Sequence, residues 1–68
     1  MVKTRIIRAP VMREARRRLG LTQFDLAERA GCGEGQVSRI ETGRLRPETW
    51  LKEAIARELG IQTWEVGA

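Results

Sequence analysis

The side chains that could do chemistry in this 68-residue sequence are almost all cations. There are 13 lysines and arginines against 9 aspartates and glutamates, no histidine, and a single cysteine, Cys32. Without histidine and with one thiol, the sequence cannot supply the ligand set of a zinc site, and it has no nucleophile with an activating base. We therefore expect no metal, no cofactor and no enzymatic activity. A redox-sensing role for Cys32 is conceivable, but a small residue in a turn is the simpler interpretation.

The positive charge lies mainly at one end of the chain. Residues 1–18 contain seven cations and one carboxylate, whereas residues 34–68 contain five cations and six carboxylates. A one-sided basic surface is typical of proteins that bind a polyanion, either nucleic acid or an anionic membrane face. A solvated face that only keeps the protein soluble is the alternative that charge leaves open.

No segment is expected to cross a membrane or to direct secretion. The apolar residues form short groups rather than a run of about 18. The basic N-terminus is not followed by the apolar segment of a signal peptide. A single cysteine also excludes an intrachain disulfide. These features predict a cytoplasmic protein without a membrane partner.

The segments that must position the cations are predicted to be short helices that end at glycines. Apolar residues recur at helical spacing after Pro10, which suits the first position of a helix. Thr22 and Asp25 form the pattern of a capping box at the start of the second helix. The glycines that follow the four apolar segments are Gly20, Gly31, Gly43 and Gly60. Because glycine commonly follows the last helical residue, the sequence predicts an all-α fold. This is a compact domain of four to five helices at residues 10–68, preceded by a basic arm or extension at residues 1–9.

The second and third helices are separated by a very short turn, Cys32 and Gly33. Two short helices joined in this way must cross steeply, which is the geometry of a helix-turn-helix unit. Gly33 occupies the cap position of the third helix, at residues 34–42, and glycine is a tolerable cap. Gln36 is then the third helical residue, whose side chain can reach back to the backbone amide of the cap.

A series of residues along the chain has a distinctive order and spacing. It comprises Gly20-Leu21-Thr22-Gln23, Leu26-Ala27, Gly31, Val37-Ser38-Arg39-Ile40-Glu41, Gly43, Pro47, Ile55-Ala56 and Leu59-Gly60. In this series the sequence resembles the phage repressor and Cro-like helix-turn-helix family, of the xenobiotic-response-element type, over residues 11–66. The resemblance implies a five-helix DNA-binding domain whose third helix enters the major groove, commonly as a dimer on an operator. Thr49 and Lys52 stand where the family often has apolar core residues, so we expect the fourth helix to be rotated or to begin later.

The resemblance and the charge together predict a function. We expect sequence-specific binding of double-stranded DNA by a small transcriptional regulator, most often a repressor, through helix 34–42. The expected complex is a homodimer on a palindromic operator. The alternative is a protein-interaction module, such as the antitoxin of a toxin–antitoxin pair, in which the arm or the region of Trp64 holds a protein partner.

Base reading is assigned by the resemblance to the outward face of the third helix. The candidates are Glu34, Gly35, Gln36 and Arg39. The guanidinium of Arg39 can contact O6 and N7 of a guanine, and Gln36 can pair with an adenine; a phosphate contact is the alternative for Arg39. Glu34 could accept from cytosine N4, but we favour an interaction with the helix N-terminus. Gly35 either lets the backbone approach the DNA closely or is a tolerated weak start of the helix.

A second set of residues is expected to contact phosphates. The set is Gln23, Ser38, Thr42, Arg44 and Arg46. Gln23 opens the second helix, where the first N–H groups and the helix dipole favour an anion. The two arginines follow the third helix on a loop, although Arg46 could instead order the turn before Pro47. The resemblance also pairs Arg16 with Glu41 in a salt bridge, so we expect Arg16 to support the fold rather than to contact DNA.

The tryptophans and the arm leave further alternatives open. We expect Trp50 to pack in the core. Trp64, with Ile61 and Val66, forms either an exposed apolar patch for dimerisation or the completion of a small core. The cations of residues 1–9 could follow the DNA, or the apolar residues of this arm could pair with a partner chain.

Overall fold

Four helices and one 3₁₀ turn make up the regular structure of residues 10–67, the part of the chain that the computed structural model describes. The elements are α1, Val11–Arg18; α2, Gln23–Ala30; α3, Glu34–Glu41; α4, Thr49–Leu59; and the 3₁₀ turn Thr63–Glu65. Residues 10–67 contain no strand, which confirms the predicted class of a compact all-α domain with four to five helices. No helix in this range is long and apolar enough to cross a membrane. The predicted arm, residues 1–9, and Ala68 lie outside the described residues.

The start and end of α2 are determined by local hydrogen bonds. The Asp25 N–H donates to Thr22 Oγ1 at 3.0 Å, and the Thr22 N–H donates to Asp25 Oδ2 at 2.9 Å. These bonds to the Thr22 backbone and side chain hold the pKa of Asp25 below its ordinary value. At the other end, Gly31 adopts φ = 86°, in the left-handed region. The N–H groups of Gly31 and Cys32 both donate to Ala27 O at 2.9 Å. The chain therefore turns sharply after α2 and enters α3 within a few residues.

The core forms where α2, α3 and α4 meet. Its most enclosed side chains are Leu26, Val37, Ile40 and Ile55. Val37 and Ile40 lie three residues apart on the inner side of α3, and burying such a side chain contributes about 1.5–3 kcal/mol. Because this side of α3 is anchored in the core, its opposite side faces solvent.

The beginning of α4 differs from the expectation. Glu48 stands at the N-cap position, without a side-chain hydrogen bond to the helix, and α4 begins at Thr49. Trp50 is 52% exposed, so the prediction that it packs in the core is wrong. The buried positions are taken by Leu51 and Ile55, and one residue corresponds to a rotation of about 100° on a helix. Burying Leu51 therefore turns Trp50 towards solvent, where its indole N–H donates to Glu48 Oε1 at 2.8 Å.

Cys32 is a free thiol in the turn between α2 and α3, partly buried against the core. Burial raises the pKa of the Cys32 thiol, which reduces the fraction of reactive thiolate at neutral pH. This environment favours the interpretation of Cys32 as a turn residue over that of a redox sensor.

Candidate nucleic-acid interface

The outer side of α3 is an exposed strip that begins directly after the α2–α3 turn. Its exposed residues are Glu34, Gly35, Arg39 and, at the end of the helix, Thr42, with Gln36 and Ser38 half-buried at its edges. An α-helix with its side chains is about 10–12 Å across, which fits the major groove of DNA, about 12 Å wide. The eight residues of α3 are about 12 Å long. The strip therefore has dimensions suited to a few base pairs.

Arg39 extends along this strip towards the beginning of α3. A Cβ atom built on Gly35 would lie 3.4 Å from Arg39 Nη1 and 3.9 Å from Arg39 Cζ. The guanidinium thus lies over Gly35, one helical turn before its own Cα. The Arg39 guanidinium, which is the strongest hydrogen-bond donor of the strip, therefore lies near the N-terminal end of α3.

Gln36 serves as a capping residue in the structure. Its Oε1 accepts the N–H of Gly33 at 3.0 Å, so the side chain bends back towards the start of α3. A bidentate contact to adenine uses both the oxygen and the NH₂ group of such an amide. To contact an adenine in this way, Gln36 Oε1 would have to accept a second hydrogen bond or lose the one from the Gly33 N–H. The NH₂ group of Gln36 is available as a donor.

Thr42 closes the end of α3. Its hydroxyl donates to Ser38 O at 3.1 Å and to Arg39 O at 3.2 Å. A hydroxyl has one proton, so a hydrogen bond from Thr42 to a phosphate requires the hydroxyl to turn away from these carbonyls. Thr42 is exposed enough to do so, but its position in the structure is a helix-closing one.

A partly buried group of four side chains, here called the Glu41 cluster, joins α1, α2 and α3; its members are Arg13, Arg16, Gln23 and Glu41. The Glu41 carboxylate accepts from Arg16 Nε at 2.7 Å, from Arg16 Nη2 at 3.2 Å and from Gln23 Nε2 at 3.0 Å. Arg16 Nη1 also donates to Leu21 O at 2.9 Å. The Glu41 side chain has 0% exposed surface, and Arg16 is 7% exposed. Arg16 and Glu41 therefore form a bidentate salt bridge inside the fold.

Arg13 is the member of this cluster that reasoning from the sequence missed. Its Nε lies 3.6 Å from Glu41 Oε1, and about a third of its side chain is exposed. A signal was present, because Arg13 precedes Arg16 by three residues and therefore lies on the same side of α1.

The charge of Glu41 is stabilised by its neighbours. Burial by itself raises the pKa of the carboxyl group. Hydrogen bonds from Arg16 and Gln23, with the charges of Arg16 and Arg13, outweigh burial and hold the pKa of Glu41 below its ordinary value. Glu41 is therefore ionised at neutral pH, and the pair stays charged within the fold.

Gln23 connects the Glu41 cluster to the beginning of α2. The first N–H groups of a helix have no acceptor within it and carry the positive end of the helix dipole. One side-chain N–H of Gln23 is held by Glu41, which leaves the second N–H of the same amide. Gln23 thus combines a fixed side-chain position with donors that suit an anion.

The loop after α3 carries two exposed arginines, Arg44 and Arg46. The N–H groups of Arg44 and Leu45 donate to Arg39 O at 2.8 Å and 3.1 Å, so the loop folds back onto the last turn of α3. Leu45 packs against the core and anchors the loop. Both arginines are consequently held close to the end of α3.

Of the three apolar residues considered for a surface patch, Trp64 is the exposed one, at 73%. Val66 is buried, and Ile61 packs partly buried against the core. Val66 and Ile61 therefore complete the core. Trp64 lies on the surface beside a shallow groove that Lys52 and Pro47 also line.

Comparisons with known proteins agree with this architecture. The profile of the helix-turn-helix domain family matches residues 11–66. A protein of Methanothermobacter thermautotrophicus described as an uncharacterized HTH-type transcriptional regulator is 46% identical over 50 residues, which are 74% of this chain and 72% of that protein. No solved structure matches the chain. The family is non-enzymatic, which confirms the prediction that the chain is not an enzyme. With α2 and α3 joined by a tight turn and the family profile matched over residues 11–66, the chain belongs to the family of helix-turn-helix domains.

Proposed function

We propose that the protein is a small transcriptional regulator that binds double-stranded DNA sequence-specifically by inserting α3 into the major groove. The observation that carries the proposal is the outer strip of α3. It holds an exposed arginine, Arg39, on a helix whose other side is anchored by Val37 and Ile40. The relative described as an HTH-type transcriptional regulator supports the same function.

The proposed contacts fall into two classes. Base contacts come from Glu34, Gly35, Gln36 and Arg39, and phosphate contacts from Gln23, Ser38, Thr42, Arg44 and Arg46. Arg39 carries the main base contact, to a guanine, because its guanidinium is exposed and donates in two parallel directions. Gln36 and Glu34 contribute less, since the first caps the helix and the second favours the helix N-terminus. Arg44 and Arg46 supply charge at the end of α3.

The proposed active form is a homodimer on a palindromic operator. One helix of eight residues covers few base pairs, so useful specificity requires two copies. A two-fold dimer would place two α3 helices in half-sites about 34 Å apart along the DNA. The exposed Trp64 offers apolar surface for such a dimer. Regulators of this kind act in the cytoplasm, and repression is the mode of action that we propose.

The test is a selection of bound sequences from random duplex DNA, followed by two variants. We expect a symmetric motif whose affinity falls steeply with salt. Arg39→Ala should relax the preference at one base pair, whereas Arg44→Ala should weaken binding to all sequences and reduce the salt slope by about 1. Binding without any base preference at low salt, or equal effects of the two variants on every sequence, would overturn the proposal.

A second candidate function is a protein-interaction module of the antitoxin type. The observation that favours it is again Trp64, which is too exposed to serve the core. Trp64→Ala provides the distinction: it should weaken self-association if the surface joins two copies of the chain, and leave self-association unchanged if the surface holds a different protein.

A further inference from the structure

We infer that Gly35 determines base specificity indirectly, because the absence of a side chain lets the Arg39 guanidinium lie over the first turn of α3. This inference rests on the proposed function and adds a positioning residue to it. It differs from a direct role of Gly35 in bringing the backbone close to DNA.

The two residues are neighbours on the helix surface. Positions four apart lie on the same side of an α-helix, and side chains lean towards its N-terminus. A long side chain at position 39 therefore covers the surface over position 35. In the structure this overlap is direct, since a Cβ on Gly35 would meet Nη1, Cζ and Nη2 of Arg39 at 3.4, 3.9 and 3.9 Å.

These distances separate small from large substitutions. A methyl group at 3.4 Å from Nη1 is in ordinary van der Waals contact, so alanine fits with Arg39 in place. A branched side chain extends beyond Cβ into the volume that the guanidinium occupies. Leucine at position 35 must therefore displace Arg39 from the start of α3.

Two other residues at the start of α3, Gly33 and Gln36, place no side chain over the same position. Gly33 has no side chain, and Gln36 bends back to hold the Gly33 N–H at 3.0 Å. The guanidinium of Arg39 thus takes the position at the beginning of α3 that a side chain at residue 35 would otherwise fill. One arginine supplies the base contact there, so the proposed half-site should contain one strongly preferred guanine–cytosine pair next to positions of weak preference.

The experiment is a double-variant cycle on the full chain, with the DNA sequence obtained by selection. Binding is measured for Gly35→Ala, Gly35→Leu, Arg39→Ala and the combination Gly35→Leu/Arg39→Ala. Each protein is measured against the selected duplex and against a duplex with the preferred guanine–cytosine pair replaced. Circular dichroism checks that each variant is folded. Alanine and leucine both favour a helix more than glycine does, so α3 should persist.

A bidentate arginine–guanine contact corresponds to about 5- to 150-fold discrimination between the two duplexes. We expect that discrimination in the unaltered protein and in Gly35→Ala, and its loss in Gly35→Leu. In the Arg39→Ala background, Gly35→Leu should change the discrimination no further.

Two results would overturn the inference while leaving the proposed function intact. One is a full discrimination in Gly35→Leu. The other is that Gly35→Leu weakens binding to both duplexes equally, whether Arg39 is present or replaced by alanine. That result would show that Gly35 acts by letting the backbone approach the DNA. If the unaltered protein binds all duplexes equally at low salt, the proposed function fails, and this inference fails with it.

Discussion

Replacing Glu41 by glutamine tests how the fold depends on a charge that lies inside it. The substitution removes the negative charge at the centre of the Glu41 cluster and keeps nearly the same side-chain volume, so no cavity is created. The carboxylate accepts two hydrogen bonds from Arg16, at 2.7 and 3.2 Å, and one from Gln23, at 3.0 Å. An amide has one oxygen and an NH₂ group that is itself a donor. At least one of these donors must therefore lose its acceptor.

The expected loss of stability follows from this count. A hydrogen bond to a charged group contributes about 1.5–3 kcal/mol, and leaving one partner of a buried ion pair alone costs about 3–5 kcal/mol. Because one acceptor remains in Glu41→Gln, we expect the free energy of unfolding to fall by about 3 kcal/mol, the lower end of that range. Domains of this length have a total stability of about 3–10 kcal/mol, so the variant should lose between about a third and all of its stability.

The measurement is urea unfolding followed by circular dichroism at neutral pH, with Glu28→Gln as the matched control. Glu28 is an exposed carboxylate on α2, so its replacement should change the free energy of unfolding by less than about 0.5 kcal/mol.

A double variant, Arg16→Met/Glu41→Leu, removes both charges instead of one. It leaves Leu21 O and the Gln23 amide without the partners they have in the fold, at a cost of about 1–3 kcal/mol. We expect it to be at least as stable as Glu41→Gln, because no buried charge is left alone. A cost of less than about 1 kcal/mol for Glu41→Gln, as for exposed pairs, would contradict the dependence of the fold on a buried ion pair. A double variant much less stable than Glu41→Gln would contradict it as well.

Four further outcomes can be measured on the same protein. The folded-state pKa of Glu41 lies below the ordinary value of about 4.5, which the unfolded chain has. The contribution of Glu41 to stability is therefore complete above that pH and is lost as the pH falls through the folded-state pKa. The free energy of unfolding should consequently fall less steeply with acid in Glu41→Gln than in the unaltered protein. Parallel curves for the two proteins would contradict this. Gly31→Ala should lower the free energy of unfolding by about 1–2 kcal/mol, because φ = 86° is strained for alanine although no atom lies within 4 Å. Gly35→Ala, at a helical position, should raise the free energy of unfolding by up to about 1 kcal/mol. If thermal unfolding shows that both glycine variants are stabilised, or that both are destabilised, the two glycines do not differ in backbone conformation in this way. Thr22→Ala removes the acceptor of the Asp25 N–H and should cost about 1 kcal/mol in urea unfolding, whereas no change would mean that the capping box does not hold α2.

Much of the fold was predictable from the sequence because its signals act over a few residues. Thr22 and Asp25 form their capping box three positions apart, and Gly31 ends α2 by adopting a backbone conformation that other residues rarely adopt. Gln36 caps Gly33 over the same short span. Such interactions depend on neighbouring residues alone, so the approximate ends of α2 and the start of α3 could be inferred before any tertiary contact was known.

The apolar spacing also determined which side of α3 lies inside. Val37 and Ile40 are three residues apart, so one side of the helix is buried and the opposite side, with Gly35 and Arg39, is exposed. The composition of the candidate interface therefore follows from the sequence, whereas its assignment to DNA depends on the family.

Two features were decided by the tertiary structure, and a third by the rotamer of one exposed side chain. Trp50 was expected in the core from its size and apolar character, but the rotation of α4 about its axis is set by how Leu51 and Ile55 meet the other helices, and that rotation exposes Trp50. The path of the Arg39 side chain depends on rotamers that helical spacing alone does not specify. The Glu41 cluster joins residues up to 28 positions apart on three helices, and Arg13 belongs to it only because the fold brings its Nε to 3.6 Å from Glu41 Oε1 at the end of α3. Local sequence determines which helices form and which side of each is apolar, but the angles at which the helices pack determine which distant polar groups share a buried site.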